Sequence, residues 1–159
     1  MLKKINNPFT NSKEYNCFGC SPNNPIGIKL DFFIDDIGKV VTAEWEPSAN
    51  YVGYNNILHG GIQATLLDEI ASWVVYAILG TGGVTSQMHI RYRKPVNIND
   101  GKIQLKACLN KQEKCLADIR VELRNGKGEL SAEGTIQYFI YPESTAKEKM
   151  GYPGIDSFV

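Results

Sequence analysis

Hydrophobic and polar residues alternate in several short segments of the chain, which is the pattern of β-strands with one buried face. These segments are 28–34, 40–45, 84–93, 102–109, 116–123 and 130–141. The first two flank a turn signal at 35–38 and therefore predict a hairpin. An Asn-Gly-Lys-Gly sequence at 125–128 predicts another tight turn before the last strand.

A long segment with few polar residues, 59–79, separates the hairpin from the later strands and predicts one α-helix. Gly80, Gly82 and Gly83 follow it, as is common at helix ends. Its polar side chains are confined to an arc of about 100° on a helical wheel, whereas a surface helix has a broad polar face. We therefore expect an α+β fold in which a curved antiparallel sheet encloses the helix.

The narrow polar arc contains two adjacent carboxylates. Its members are Thr65, Asp68, Glu69, Ser72 and Tyr76. Carboxylates are rarely buried without a partner, so the arc needs an explanation. One interpretation is that it faces solvent or forms a hydrogen-bonded dimer seam. The other is that one carboxylate faces a cleft and acts as a base or nucleophile.

Composition places the chain among ordinary globular proteins. It has 159 residues, 43% of them hydrophobic, and 17 Lys and Arg residues balance 17 Asp and Glu residues. A disordered chain would be less apolar, and a nucleic-acid-binding domain would normally carry a basic excess. The division expected from the patterns is a loose polar N-terminal arm at 1–24, one folded domain at 25–141 and a C-terminal tail at 142–159.

The sequence shows neither a secretory signal nor an uninterrupted membrane span. The N-terminal lysines are followed by polar Asn6 and Asn7, and the apolar segment 62–79 is interrupted by Asp68 and Glu69. We therefore expect a cytoplasmic protein with reduced cysteines and no membrane partner.

The cysteines leave three interpretations open. Cys17 and Cys20 form a Cys-x-x-Cys pair, which could be half of a zinc site. Cys108 and Cys115 have the wrong mutual spacing for the other half, although distant strands could meet. A redox pair normally follows a strand and opens a helix, which this pair does not. The third interpretation is a structural turn with idle thiols.

The helix begins with His59-Gly60-Gly61, where unpaired backbone N–H groups and the helix dipole favour negative charge. The segment 59–69 resembles the helix entry of hotdog-fold thioesterases of the phenylacetate-degradation (PaaI-like) group, with Asp68 nine residues after the histidine. Segment 83–92 is similar to the next strand of that family, including Thr85 and the following Pro95. Segment 16–28 looks like the start of one branch of the superfamily.

The resemblance implies a hotdog fold, a homodimer with active sites at its interface, and frequent pairing of dimers into tetramers. The implied reaction is hydrolysis of an acyl-coenzyme A thioester without a cofactor or metal. Asp68 would act as general base or nucleophile, and the N–H of Gly60 would bind the carbonyl oxygen. Thr85 would orient Asp68 or water, and His59 would shape the turn or contact the sulfur. Gly61 would let the substrate approach the backbone closely.

One position departs from the family pattern. Many relatives carry Asn or Gln six residues before the histidine, and this chain has Gly53 there. Asn55 and Asn56 could substitute for it after a shift of the loop. If they do not, the alternatives are a non-catalytic protein that binds acyl-CoA or another small ligand, or a hotdog dehydratase or hydratase, whose local sequence context differs from this one.

A small basic cluster lies on the strand after the helix. It consists of Arg91, Arg93 and Lys94, and it is either an exposed strand face or a contact for the phosphates of coenzyme A. His89 lies on the same predicted face, where a solvated or interface histidine is expected rather than a catalytic one.

Overall fold

The computed structural model describes residues 1–37 and 39–159, and its seven strands form one antiparallel sheet. The strands are β1 (Leu2–Lys4), β2 (Phe33–Asp35), β3 (Val40–Trp45), β4 (Gly83–Tyr92), β5 (Ile103–Glu113), β6 (Leu116–Arg124) and β7 (Leu130–Ile140). Their order across the sheet is β1-β2-β3-β5-β6-β7-β4, which leaves β4 at one edge. Gly38, the last residue of the predicted first turn, lies outside the described residues.

One long helix packs against a face of this sheet. The helix α1 (Gly60–Val74) continues as a π-helical turn (Val75–Leu79) and ends at Gly80, whose φ of 71° is a left-handed conformation that favours glycine. The sheet residues that contribute to its core are buried, among them Val41, Ala43, Leu105, Ala107, Ile119, Val121 and Ile136. The predicted α+β hotdog arrangement, with a single central helix, is confirmed.

The first predicted strand is shorter than its alternation suggested. Ile28, Leu30 and Phe32 are buried as expected, but β2 begins only at Phe33. Lys29 has a φ of 59°, which breaks the extended backbone in the middle of the predicted strand. The N–H groups of Ile28 and Leu30 therefore bond to carbonyls of the N-terminal segment rather than to a neighbouring strand.

The N-terminal segment is not the loose arm that its polar composition indicated. Its strand β1 pairs with β2, Ile5 is buried, and the ring of Phe9 packs 5.1 Å from that of Tyr76 on the π-helical turn. The reason is that a few large apolar residues anchor it, and their irregular spacing produces no periodic pattern in the sequence.

The C-terminal tail is also ordered on the domain. It contains a short helix, α2 (Glu143–Met150), and a final turn that buries Phe158. The ring of Phe158 lies 5.7 Å from that of Trp73 and 5.7 Å from that of Phe9. Both termini therefore cover the C-terminal half of the central helix, which accounts for part of its apolar surface.

By length and composition alone, the helical stretch Gly60–Leu79 is apolar enough to cross a membrane. The fold gives another reason for this composition, because the same stretch lies between the sheet and the two terminal segments.

Candidate active site

The two adjacent carboxylates of α1 point in different directions, because successive residues of a helix are about 100° apart. Asp68 is half-buried and faces the sheet edge formed by β4 and β7. The hydroxyl of Thr85 donates to its Oδ1 at 2.8 Å, and the hydroxyl of Tyr138 lies 2.7 Å from the same oxygen. No hydrogen bond of the described residues involves Oδ2 of Asp68, so this oxygen is available to water or a ligand.

Tyr138 is the main residue of the candidate site that the sequence did not predict. Its ring is buried, and its hydroxyl also lies 2.8 Å from the backbone carbonyl oxygen of Asp68. Burial, and then the negative charge of Asp68, raise the pKa of Tyr138 well above its usual range. The hydroxyl therefore stays protonated and donates to Asp68, which fixes the carboxylate.

Glu69 belongs to a separate environment, about 100° around the helix from Asp68. It accepts from Nε1 of Trp73 at 3.3 Å and from Sγ of Cys17 at 3.5 Å. Burial raises the pKa of Glu69 to about 7. The polar arc predicted from the helical wheel is thus not one surface, and Asp68 is the carboxylate that faces β4.

A bulge in β4 brings Thr85 to Asp68. Thr85 pairs with Tyr138, but Gln87 pairs with Gln137, so Ser86 is an extra residue in the ladder. Residues directly opposite each other share a face of the sheet. Thr85 therefore lies on the helix side of the sheet with Tyr138. In a regular strand, every second residue after Thr85 would lie on this side too. The bulge moves those residues to the opposite side.

The bulge also separates Thr85 from the predicted basic cluster. Arg91 pairs with Glu133 on the outer face, and Nε of Arg93 donates to the carboxylate of Glu133 at 2.6 Å. Lys94 forms a 2.6 Å ion pair with Glu129. Of the three basic residues, Arg91 alone forms no salt bridge with the residues that the structure describes. His89 is exposed on the same outer face.

The turn that opens α1 is built by His59. Its Nδ1 accepts from the N–H of Gly61 at 2.9 Å, so the side chain caps the helix and Nε2 carries the ring proton. Gly60 is the first helical residue, and its N–H has no acceptor within the helix. The hydroxyl of Tyr92 donates to the carbonyl of Gly60 at 2.7 Å and holds the end of β4 against this turn.

The loop before His59 keeps Asn55 and Asn56 in an exposed turn. A bridge between Val52 and Leu58 closes this turn. Within the described residues, neither asparagine side chain bonds to Asp68 or His59. Gly53 lies directly beside the His59 ring, because a Cβ placed on it would be 3.4 Å from Cδ2. Among the described residues, neither Asn55 nor Asn56 therefore supplies the polar contact to Asp68 or His59 that a side chain at Gly53 could make.

A family model and individual known proteins place the chain in the same family. A model of the thioesterase superfamily matches residues 55–132. Acyl-coenzyme A thioesterase 13 of Homo sapiens is 34% identical over 99 residues, which cover 61% of this chain and 69% of that protein. The Mus musculus protein of the same name is 39% identical over 79 residues, which cover 48% and 56% of the two chains.

Solved structures of thioesterases are also similar to this chain. Thioesterase superfamily member 2 of zebra fish matches with 29% identity and a TM-score of 0.62, covering 75% of this chain and 88% of that one. A hypothetical thioesterase of Streptococcus pneumoniae TIGR4, crystallised with coenzyme A, matches with 25% identity and a TM-score of 0.62, covering 67% and 81%.

Proposed function

The chain belongs to the thioesterase superfamily, and we propose that it hydrolyses acyl-coenzyme A thioesters to a free acid and coenzyme A. The main support for this proposal is the environment of Asp68. Its carboxylate is fixed through Oδ1 by Thr85 and Tyr138 and leaves Oδ2 for the reaction. A general base or nucleophile needs this combination of fixed orientation and a free oxygen.

Two routes fit this geometry. In the first, Asp68 takes a proton from water while the water oxygen bonds to the carbonyl carbon, and the C–S bond then breaks. The departing coenzyme A thiolate receives the proton back from Asp68. In the second, Asp68 attacks the carbonyl carbon directly, the thiolate leaves, and water hydrolyses the resulting mixed anhydride. Both routes pass through an oxyanion that an N–H at a helix start can stabilise.

The N–H of Gly60 is the proposed oxyanion donor, but it cannot act with Asp68 of the same chain. Eight residues of helix separate them, which is about 12 Å along the axis. A carbonyl group that reacts with Asp68 is therefore out of reach of this N–H. We propose a homodimer in which Asp68 works with Gly60 of the partner subunit, as the family resemblance predicts.

The edge of the sheet formed by β4 supports the proposed homodimer. β4 is ten residues long, lies at the edge and carries exposed Val84, Met88 and Tyr92. Long exposed edges are usually paired or covered in native proteins. Pairing of two β4 edges would cover these side chains and bring the Thr85 region of both subunits to the interface. Association of two such dimers into a tetramer, a cytoplasmic location and independence of any cofactor stay predictions.

A thiol-release assay over short, long and aromatic acyl-CoA esters tests the proposal. We expect saturable release of free coenzyme A with at least one of these classes. Saturable binding without thiol release would contradict hydrolysis and favour the non-catalytic alternative, which Gly53 motivates. Hydration of an enoyl-CoA in the same preparations would instead favour a hydratase.

Thr85 should have a measurable but secondary effect on this reaction. We expect Thr85→Val to lower kcat roughly 10-fold, because one charge-assisted hydrogen bond to Asp68 is lost while that of Tyr138 remains. The conservative variant Thr85→Ser keeps the hydroxyl and should retain most of the activity. Equal losses in both variants would show that the hydroxyl is not what matters at this position.

A further inference from the structure

The Cys-x-x-Cys pair of the N-terminal segment meets Glu69 of the central helix. Within the described part of the chain, the ligand atoms of Cys17, Cys20 and Glu69 all lie within 4.8 Å of one another. Cys20 is buried, whereas Cys17 and Glu69 are half-buried. The third potential ligand thus comes from a helix 49 positions further along the chain, not from Cys108 or Cys115.

The spacing of these atoms fits a tetrahedral metal ion. Zinc binds thiolate sulfur at about 2.3 Å and carboxylate oxygen at about 2.1 Å, so a sulfur and an oxygen on one ion are about 3.6 Å apart. Sγ of Cys17 lies 3.5 Å from Oε1 of Glu69. These two atoms could therefore bind one ion with little movement.

The surroundings resemble the outer shell of a metal site. Nε1 of Trp73 donates to Oε1 of Glu69, and the hydroxyl of Tyr15 lies 2.6 Å from Sγ of Cys20, where it can donate to a thiolate. Such hydrogen bonds orient metal ligands in known sites. The turn also closes tightly on the carboxylate, since a Cβ on Gly19 would lie 2.5 Å from Cδ and Oε2 of Glu69.

Among the residues that the structure describes, Glu69 has no cationic partner to compensate its charge. It takes part in none of the salt bridges formed by residues 1–37 and 39–159. Even partial burial of a carboxylate is costly unless the group is paired or coordinates a metal. A divalent cation bound by two thiolates and this carboxylate would supply the missing positive charge.

We propose that Cys17, Cys20 and Glu69 bind a thiophilic divalent cation, of which zinc fits the donor set best. Solvent supplies the fourth ligand through the half-exposed side of Cys17. The ion joins the N-terminal turn to α1 at the residue next to Asp68. It has no part in the proposed hydrolysis and acts by fixing the N-terminal segment on the helix.

The experiment compares the unmodified protein with two cysteine variants, Cys17→Ser and Cys115→Ser. Cys115 is exposed in the turn between β5 and β6, outside the cluster, and is the matched control. All proteins are purified under reducing conditions, stripped with a chelator and titrated with zinc against a chromophoric competitor. We expect one zinc per chain for the unmodified protein and Cys115→Ser, and at least roughly 10-fold weaker binding for Cys17→Ser.

Cobalt titration gives a second readout that identifies the ligands. Thiolate-to-cobalt charge-transfer absorption should appear in the unmodified protein and in Cys115→Ser, and weaken in Cys17→Ser. Glu69→Gln should weaken zinc binding without removing this absorption. Equal zinc affinity in all proteins would overturn the proposal. So would a Cys17–Cys20 disulfide that forms readily in a protein that retains no zinc, since the pair would then be a redox site.

Discussion

Asp68→Asn is expected to lower kcat for acyl-CoA hydrolysis by about 1,000-fold, within the range that a general base contributes. The amide has the shape of the carboxylate, and its oxygen can still accept from Thr85 and Tyr138. It cannot take a proton from water or attack the thioester carbonyl. The loss should therefore appear in kcat, while the fold and the binding of acyl-CoA are preserved.

Thiol release under saturating substrate measures this effect, and the thermal midpoint reports on the fold. The matched control is Asp31→Asn, which replaces an exposed aspartate that forms an ion pair with Lys4 on the surface. This control should keep full activity. If Asp68→Asn retained more than about a tenth of the kcat, the loss would be smaller than proton transfer by Asp68 requires, and the proposed mechanism would fail.

The general arrangement could be predicted from the sequence because it depends on periodicity. Alternation identified the strands β3 to β7, and the nearly continuous apolar surface of 59–79 identified a helix enclosed by other structure. Such patterns report on which side chains are buried. They were correct even for Ile28 and Leu30, which are buried although no strand forms around them.

Local backbone irregularities could not be predicted in the same way. The bulge at Ser86 decides that Thr85 faces the helix while Arg91 faces away, and nothing in the alternation of β4 marks it. The left-handed backbone of Lys29 likewise interrupts the strand predicted at 28–34, at a residue type that seldom adopts this conformation. A change of one residue in register moves every later side chain of a strand to the other face of the sheet, so the bulge decides which residues of β4 face Asp68.

Contacts between distant segments also could not be predicted from the sequence. The helical wheel grouped Asp68 with Glu69, but the segments packed on each side separate them. Tyr138 of β7 reaches one carboxylate and Cys17 of the N-terminal segment reaches the other. Spacing alone placed Asp68 relative to His59, but only the packing shows why Asp68, and not Glu69, is the acid that Thr85 and Tyr138 fix.

Gly60→Pro is expected to lower kcat by about 100- to 1,000-fold, the usual cost of removing one oxyanion donor. Proline lacks the N–H but is well tolerated at the first position of a helix. His59 already has φ −58° and ψ 133°, in the extended region that a residue before proline prefers. The matched control Gly60→Ala keeps the N–H, and its Cβ would meet the Tyr92 ring at an ordinary 3.7 Å. It should retain most of the activity.

Mixed dimers of Gly60→Pro and Asp68→Asn test whether the two residues act across the interface. Each variant alone lacks one component in both sites. In a mixed dimer, Asp68 of the Gly60→Pro chain meets an intact Gly60 of the partner subunit, so one of the two sites is restored. Co-expression with two affinity tags isolates this species, and its activity should approach about half that of the unmodified dimer. Mixed dimers no more active than either parent would show that both residues act within one chain, against the 12 Å separation that the helix imposes.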